Sequence, residues 1–460
     1  MTSLNNLGHF KNIHMIGIGG TSMSGIAEIL KYWNFNVTGS DTAESENTEK
    51  LIEHKIPIAI GHDLEMIEKA DIVIYTAAIS NDDPELLKAR ELGIPTIERA
   101  DFLGEITKAF SDTICISGTH GKTTTTSMIS TCFIEGKMDP TIQVGAILKQ
   151  IDGNYRIGNS EYFILEACEY VESFLKFAPK TEVILNIDND HLDYFKDFNH
   201  IVLAFEKYVK LLPKDGLLVI NGDDKNSLNL SKLTSARSIT FGIENQKCNF
   251  VARSITYDSN GFPGFDIYFN DTFYKTVKLS VPGRHNILNA LACTAVCHMY
   301  GLSKDIIRSG LLNFTGAHRR FEFVGKFNDS INVFDDYAHH PTEIKATALA
   351  MKEKKYNQSW VIFQPHTYSR TKNLMQDFVS ALKLFDNIII TDIYAARETN
   401  TYGVTSQDLV TAINTTGKNA LYISDFDEIV KYVKSHANNN DIVLTVGAGT
   451  VTNISKMLIS

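Results

Sequence analysis

Short apolar runs alternate with helical patterns over the first 100 residues, and this alternation predicts an architecture. The runs His14–Ile18, Asn36–Gly39 and Asp71–Tyr75 have the length and apolar content of buried strands. Between the first two, Met23–Trp33 carries apolar residues at helical spacing. Because strands that alternate with helices form parallel sheets covered on both faces, we expect an α/β fold here.

Two further α/β units follow the first one. The second unit contains a β-rich stretch over 237–281 and a helical pattern over Asn286–Tyr300. The strand-like runs of the second and third units are Tyr162–Leu165, Glu182–Asn186, Gly216–Ile220, Ile331–Phe334, Ser359–Phe363, Asn387–Ile390 and Asp441–Thr445. Because 460 residues exceed one ordinary core, we predict three α/β domains, over 1–105, 106–315 and 316–460.

Composition and charge exclude several classes of protein. With 43% hydrophobic and 21% charged residues, the chain has the make-up of a soluble globular protein, and its net charge of −10 argues against a basic nucleic-acid-binding face. No apolar run approaches the ~18 residues of a membrane span, and the N-terminus lacks the pattern of a secretory signal. The cysteines lack metal-ligand spacing, and Cys293 and Cys297 lie at helical spacing among apolar residues, which predicts core thiols. We therefore expect a cytoplasmic protein without nucleic-acid or membrane partners.

The segment Gly118–Thr126 carries the most specific chemical signal. It follows the strand-like run Thr113–Ile116 and precedes a helical pattern. Backbone N–H groups of such a loop attract phosphate oxygens, Lys122 adds positive charge, and the hydroxyl after it can hold Mg²⁺. Ile116 stands where a full Walker A motif has glycine, so the loop is a shorter variant. The segment predicts the use of ATP or GTP; a capped helix start without a ligand is the alternative.

A second glycine-rich loop, Gly17–Ser22, follows the first predicted strand. It is close to a dinucleotide-binding fingerprint, with Ser22 in place of the third glycine, and Asp41 ends the next strand where a ribose-binding acid belongs. A ligand here would carry a pyrophosphate and a ribose, as NAD and UDP-sugars do. A tight turn without a ligand is the alternative.

Several polar residues follow the strands of the second unit. Glu166 and His191 would lie at the carboxyl edge of the sheet and could hold a cation that also meets nucleotide phosphates. Asp190 and Asp193 could instead be simple helix caps. Asn286 could be an N-cap, recognise adenine, or do both.

The third unit places polar and aromatic clusters after three of its strands. The clusters are Asp335–Glu343, Gln364–Thr371 and Asp392–Glu398, and Arg319 and Arg320 lie near the domain junction. Arginine forks pair well with phosphate or carboxylate oxygens. Three such clusters at three strand ends indicate the edge of one site.

Taken together, these motifs resemble the Mur ligase family, over nearly the whole chain from Gly17 to about Gly449. The Gly-Thr-His-Gly-Lys-Thr loop at 118–123 and the segments 336–344 and 364–371 carry the resemblance. It implies a Rossmann-like UDP-substrate domain, a central P-loop ATPase domain and a Rossmann-like C-terminal domain that binds the amino acid and closes over the site. It also implies ATP-dependent ligation of L-alanine to the lactyl carboxylate of UDP-N-acetylmuramate through an acyl phosphate, in peptidoglycan precursor synthesis.

The resemblance assigns roles to individual positions. Contacts to ATP fall to Gly118, Thr119, His120, Gly121, Lys122, Thr123, Thr124, His285, Asn286, Arg320 and Asp336. Contacts to the UDP substrate fall to Gly17, Gly19, Gly20, Ser22, Ser40 and Asp41. The ligands of Mg²⁺, or of Mn²⁺ in its place, would be Thr123, Glu166 and His191. The catalytic set would be Lys122, Glu166, His191, His339 and Arg370, the last two bordering the reacting carboxylate and alanine.

Four positions depart from patterns common in the family. Ser22 replaces a glycine, Thr367 an arginine and Thr450 an acidic residue, while Phe205 aligns with the lysine that later-acting members carbamylate. The alternatives that share many of these motifs are a ligase that attaches recycled peptides to UDP-N-acetylmuramate, a nucleotide-gated binding protein and an NAD-dependent enzyme. We expect a monomer or a weak homodimer.

Overall fold

The computed structural model describes residues 10–192, 194–396 and 398–460, and its strands form three sheets. The first sheet is parallel throughout, in the order β3-β2-β1-β4-β5. Its strands are β1 (Asn12–Ile16), β2 (Asn36–Asp41), β3 (Ile58–Ile60), β4 (Ile72–Tyr75) and β5 (Thr96–Glu98). Its helices are α1 (Thr21–Tyr32), α2 (Glu46–Glu53), α3 (Leu64–Glu68), α4 (Pro84–Glu91) and α5 (Arg99–Thr107). Because β1 is central and buried, its carboxyl end delivers the first glycine loop to the sheet edge.

The second sheet is mixed and has ten strands, in the order β15-β14-β13-β12-β11-β10-β6-β9-β7-β8. The strands are β6 (Asp112–Ser117), β7 (Thr141–Leu148), β8 (Gly153–Arg156), β9 (Tyr162–Glu166), β10 (Thr181–Ile184), β11 (Leu217–Asn221), β12 (Arg237–Gly242), β13 (Phe250–Tyr257), β14 (Pro263–Phe269) and β15 (Thr272–Lys278). Strands β13 to β15 pair antiparallel, which confirms the predicted β-rich stretch. Ile116 is fully buried within β6, so the strand occupies the position of the missing Walker glycine.

Five helices accompany this sheet among the described residues. They are α6 (Lys122–Glu135), α7 (Phe198–Val209), α8 (Lys225–Leu230), α9 (Arg284–Met299) and α10 (Lys304–Asn313), with 3₁₀ turns at Lys149–Ile151, Tyr170–Lys176 and Ser231–Leu233. Cys293 and Cys297 on α9 are fully buried, which confirms them as core thiols. The Cys132 sulfur on α6 lies 3.6 Å from that of Cys293, so the thiols help to pack the helix that follows the phosphate loop.

The third sheet has six strands in the order β16-β17-β21-β18-β19-β20, and all pairs are parallel except β16 with β17. The strands are β16 (Glu322–Phe327), β17 (Ile331–Asp336), β18 (Ser359–Phe363), β19 (Asn387–Ile390), β20 (Ala420–Tyr422) and β21 (Ile442–Val446). The helices are α11 (Pro341–Lys352), α12 (Tyr368–Asn373), α13 (Met375–Leu382), α14 (Ser406–Asn414), α15 (Phe426–His436) and α16 (Thr452–Ile459).

The three sheets confirm the predicted three-domain α/β architecture. The predicted boundary at 105 lies within α5 and that at 315 lies between α10 and β16. The exact limits 1–105, 106–315 and 316–460 stay predictions. Within the described ranges, no helix has the length and hydropathy needed to cross a membrane.

Candidate active site

The phosphate loop joins β6 to α6 and depends on two glycines. Gly118 and Gly121 have φ angles of 125° and 89°, in the region that strains residues with a Cβ. A Cβ on Gly118 would also lie 3.0 Å from the Asn186 nitrogen, and one on Gly121 would lie 2.7 Å from the Asn289 side-chain oxygen. The loop can therefore keep its shape only with glycine at both positions.

Lys122 is held in place by a carboxylate that the sequence did not reveal. Its Nζ donates to Glu169 at 2.9 Å and to the carbonyls of Gly118 and Thr119 at 2.7 and 3.1 Å. Burial favours a lower pKa for Lys122, but the charge of Glu169 outweighs burial and holds the pKa above its usual range. The lysine is therefore charged, and its charge is balanced by a glutamate that is itself buried.

His120, in the middle of the loop, bridges two carboxylates. Its Nε2 lies 2.9 Å from Asp188 and its Nδ1 lies 3.4 Å from Glu343, which belongs to the C-terminal domain. Burial lowers the pKa of His120, but the two carboxylates outweigh burial and raise the pKa to about 9. A protonated imidazole thus connects the phosphate loop to α11.

The three residues predicted to hold a metal, Thr123, Glu166 and His191, line one cavity of about 500 Å³ together with Lys122. Gly145 donates its N–H to Glu166 at 2.5 Å, and a Cβ on Gly145 would lie only 2.8 Å from the other carboxylate oxygen. A hydroxyl and a fixed carboxylate beside a phosphate loop are ligands that suit Mg²⁺ or Mn²⁺. The residues present therefore fit a divalent cation.

A second cavity, of about 390 Å³, lies between the central and C-terminal domains beside the loop. Its lining includes seven of the residues predicted to contact ATP: His120, Gly121, Thr124, His285, Asn286, Arg320 and Asp336. The walls combine apolar side chains with these polar groups, as is typical of nucleoside pockets. It adjoins the cation-site cavity, because Gly121, Arg320 and Glu343 line both.

Asn286 lies inside this second cavity, and its predicted role as an N-cap is wrong. Helix α9 begins at Arg284, and its N-cap is Gly283, whose φ of 98° a glycine adopts without strain. The Asn286 amide donates to the Pro282 carbonyl at 2.7 Å and accepts from Asn289 at 2.9 Å. Asn289, one helical turn later, also lines this cavity. The sequence does not predict this, because a polar residue at this spacing is common on any helix.

Two groups in the nucleoside cavity have shifted pKa values. His285 is exposed to solvent, yet the protein atoms around it and the charges of His120 and Arg320 lower its pKa, so this imidazole is neutral at pH 7. Burial raises the pKa of Asp336 to about 6, although the Thr347 hydroxyl donates to the carboxylate. Arg320 extends from the same wall to within 3.4 Å of the Thr123 hydroxyl, across the domain boundary.

A third cavity, of about 370 Å³, holds the predicted catalytic residues of the C-terminal domain. Arg370 donates to Asp190 at 2.8 Å from α12, and His339 and His366 lie beside it. Burial alone would raise the pKa of Asp190, but Arg370 outweighs it and holds the pKa well below its usual range. The interpretation of Asp190 as a helix cap is wrong, because its carboxylate pairs across the domain boundary; Asp193 lies outside the described residues.

The first glycine loop is held by the end of strand β2. The Gly19 N–H donates to Asp41 at 2.8 Å, and the Ser40 carbonyl accepts from the Gly17 N–H at 2.8 Å. The Ser40 hydroxyl is buried and donates to Glu85 at 2.5 Å, so Ser40 shapes the loop through its backbone. Gly20 is the N-cap of α1, which begins at the loop.

Ser22 accepts hydrogen bonds from Arg99 at 3.2 Å and from Gln143 of the central domain at 2.9 Å. A glycine at this position would lose both hydroxyl contacts and keep only the bond from Gln143 to the backbone carbonyl, at 3.0 Å. The serine therefore ties the loop of the first domain to β7. The contacts of Gly17, Gly19, Gly20, Ser22, Ser40 and Asp41 with a ligand stay predictions.

All three domains line the cation-site cavity. Thr21 and Asn47 come from the first domain, Lys122 from the central one, and Tyr337 and His339 from the C-terminal one. Tyr337, His339, Asp190 and His191 also line the third cavity, so the three cavities form a row with the cation site in the middle. A phosphoryl donor, an acceptor and a third substrate could meet there.

Models of the Mur ligase family match all three parts of the chain: the catalytic domain over 12–111, the middle domain over 116–297 and the glutamate ligase domain over 319–449. The chain belongs to the Mur ligase family. The UDP-N-acetylmuramate–L-alanine ligase of Acetivibrio thermocellus is 49% identical over 450 residues, which cover 98% of this chain and 96% of the relative. The protein of the same name from Caldanaerobacter subterraneus is 48% identical and covers 97% of each chain.

Solved structures agree with this assignment. The UDP-N-acetylmuramate-alanine ligase of Thermotoga maritima superimposes with a TM-score of 0.83 at 30% identity, covering 98% of both chains. A murein peptide ligase of Psychrobacter arcticus has a TM-score of 0.72 at 24% identity, covering 97% of this chain and 98% of its own, and thus shares the fold.

The structure shows the surroundings of three residues that depart from Mur ligase patterns. Phe205 is fully buried on α7, in the hydrophobic core, so no side chain that could bridge a cation stands there. Thr367 lines the third cavity with a φ of 67° and caps α12. Thr450 accepts from Gln364 at 3.3 Å, a bond that an acidic residue could also accept.

Proposed function

We propose that the protein ligates L-alanine to the lactyl carboxylate of UDP-N-acetylmuramate and converts ATP to ADP and phosphate. The row of three adjoining cavities carries this proposal, because ATP and the amine must both reach one carboxyl group of the third substrate. The high identity to ligases named for this reaction supports the choice of substrates.

ATP would bind with its base and ribose in the 390 Å³ cavity and its phosphates on the loop Gly118–Thr124. Lys122 and Arg320 would neutralise the charge of the transferring phosphoryl group, which is the main contribution of proteins to this chemistry. A cation held by Thr123, Glu166 and His191 would supply further charge neutralisation. Neutral His285 and buried Asn286 would contact the nucleoside.

The UDP substrate would bind to the first domain, with its pyrophosphate at the loop Gly17–Ser22 and its ribose near Asp41. Its carboxylate would reach the middle cavity and attack the γ-phosphorus, which gives an acyl phosphate and ADP. The first and C-terminal domains both border this cavity, which restricts the access of water to the acyl phosphate.

L-Alanine would bind in the 370 Å³ cavity, where Arg370 can pair with its carboxylate. Its amine, once deprotonated, attacks the acyl carbon and gives a tetrahedral intermediate. The N–C bond forms, the C–O bond to phosphate breaks, and phosphate leaves. His339 borders both this cavity and the middle one, so it lies where the carboxylate and the amine would meet.

Domain roles and location follow from the same reasoning. We assign UDP-substrate binding to 1–105, ATP binding to 106–315 and amino-acid binding with closure to 316–460. Two of the three substrates are nucleotides, which supports a cytoplasmic location. A monomer or weak homodimer suffices, because one chain supplies all three cavities.

A phosphate-release assay across acceptors tests the choice of amine substrate. With ATP, Mg²⁺ and UDP-N-acetylmuramate present, we expect L-alanine to be the best acceptor, with glycine and serine lower by roughly 10-fold to 200-fold. Phosphate release that responds to a tripeptide and not to L-alanine would instead identify a peptide-recycling ligase. Turnover of a nicotinamide cofactor would contradict the ligase assignment altogether.

A further inference from the structure

Glu343 lies at the centre of a charged cluster between the central and C-terminal domains. Its carboxylate is 3.4 Å from His120, 3.6 Å from His339 and 3.9 Å from Arg320. It lines both the nucleoside cavity and the cation-site cavity. The residues around it were assigned to substrates, but Glu343 itself was not.

The first turn of α11 fixes the position of this carboxylate. Glu343 is the third residue of the helix and accepts from the N–H of the N-cap residue, His340, at 3.4 Å and from the His339 N–H at 3.1 Å, while the His340 side chain caps the helix. This reciprocal arrangement is a capping box, which orients an acidic or amide side chain at this position. The carboxylate is therefore held by its own helix and faces the other domain with little freedom.

His120 transmits this position to the phosphate loop. The His120 N–H donates to the Asn186 side chain at 2.8 Å, and the Asn186 amide donates back to the His120 carbonyl at 2.9 Å. Its ring lies between Asp188 and Glu343. The loop, the segment after β10 and α11 are therefore joined through one imidazole.

Two further bonds join the start of α11 to the central domain. The Thr342 hydroxyl donates to Asp188 at 2.6 Å, and His340 Nε2 lies 3.1 Å from the Asn189 carbonyl. Both contacts lie beside the His120–Glu343 pair, and Asp188 contacts His120 as well. The start of α11 thus contacts the phosphate loop through Glu343 and the segment after β10 through Thr342 and His340.

We propose that Glu343 is a positioning residue: through His120 it couples docking of the C-terminal domain to the shape of the phosphate loop. The consequence for ligation rests on the proposed function, since closure must align the phosphoryl group with the carboxylate. Misalignment of reacting groups by small distances costs rate rather than binding. Loss of the pair should therefore lower kcat and leave the binding of UDP-N-acetylmuramate unchanged.

A double-mutant cycle in the full-length protein tests this coupling. Glu343→Gln retains the capping hydrogen bond, because glutamine also serves at this position, and removes only the charge. We expect Glu343→Gln and His120→Asn each to lower kcat by roughly 10-fold to 100-fold. The double variant should lie within about twofold of the slower single variant. Multiplication of the two effects, or an unchanged kcat in Glu343→Gln, would overturn the proposal.

Glu428→Gln is the matched control, because Glu428 occupies the first turn of α15 in the same domain and is exposed. It should keep the kcat of the unmodified protein. If the Tm of Glu343→Gln is close to that of the control, a lower kcat reflects positioning and not general destabilisation. If Glu343→Gln does not fold, His120→Asn alone tests the proposal by X-ray scattering.

Small-angle X-ray scattering supplies a readout that does not depend on the reaction. With a non-hydrolysable ATP analogue and Mg²⁺, the radius of gyration of the unmodified protein should decrease, and that of Glu343→Gln and His120→Asn should not. Equal compaction of all three would overturn the proposal. If the unmodified protein compacts but does not ligate alanine, the proposed function fails and the coupling stands.

Discussion

At the scale of single residues, buried charges are balanced by specific partners around the phosphate loop. Lys122 is paired with Glu169, and His120 is paired with Asp188 and Glu343. The phosphates of a nucleotide and the Glu169 carboxylate are all anionic, so they would compete for the positive charge of Lys122. Glu169 therefore lowers the affinity for nucleotide while it keeps the lysine charged and in place.

Replacing Glu169 with glutamine should strengthen nucleotide binding. The substitution keeps the size of the side chain and removes one negative charge beside the phosphate site. One like charge at this range contributes about 1 kcal/mol, so we expect ADP to bind roughly fivefold more tightly. Calorimetric titration with ADP measures this, with Glu428→Gln as the control. Weaker binding would mean that Glu169 orients Lys122 more than it repels phosphate.

Glu182 on β10 should make stability depend on pH. The side chain is fully buried, and neither carboxylate oxygen has a hydrogen-bond partner among the described residues. Burial therefore raises the pKa of Glu182 well above its usual value. Because the folded pKa exceeds the unfolded one, its contribution to stability is complete at low pH and is lost as the pH rises towards the folded pKa.

Glu182→Gln tests this by comparison across pH. In the unmodified protein, Glu182 should lower the free energy of unfolding by up to about 1.4 kcal/mol per pH unit between pH 5 and pH 8. The variant should lack this contribution. Thermal melts at both pH values measure the change, and the Tm difference between the two should shrink in the variant. An unchanged difference would show that Glu182 does not titrate in this range.

At the scale of elements, the predictions for strands with continuous apolar runs are correct, because a strand buried on both faces needs apolar residues at successive positions. Strand β16 was missed, because its edge position leaves polar residues interspersed. The motif residues of the phosphate loop could be predicted, because phosphate binding requires glycine, lysine and threonine at this spacing. Glu169 and Asn289 could not, because their roles depend on contacts with distant segments.

Glu166 at the end of β9 and His191 in the segment after β10 predict a requirement for a divalent cation. Phosphate release should stop in excess chelator, because the charge on the phosphoryl group would lack part of its neutralisation. Mg²⁺ or Mn²⁺ added beyond the chelator should restore it. The assay is the release of phosphate with all three substrates present; full activity in excess chelator would contradict the roles of Thr123, Glu166 and His191.

At the scale of the whole molecule, three sheets present their carboxyl ends to one row of cavities. The first and central domains share one hydrophobic cluster. Polar contacts also join the domains, among them Arg370 with Asp190, Arg320 with Thr123 and Ser22 with Gln143. Polar contacts of this kind can separate and re-form, which suits domains that must open for substrates and close for reaction. Sequence patterns identified the domains, but not these contacts, because each joins residues more than 100 positions apart.

This chain joins L-alanine to UDP-N-acetylmuramate in the proposed reaction. Mass spectrometry of the nucleotide products, after incubation with both substrates, ATP and Mg²⁺, detects that bond formation itself. We predict a UDP-linked product heavier by one alanine residue. Lys122→Ala should yield none of it and still bind UDP-N-acetylmuramate. Absence of this product from the unmodified protein, or full turnover by Lys122→Ala, would contradict the account.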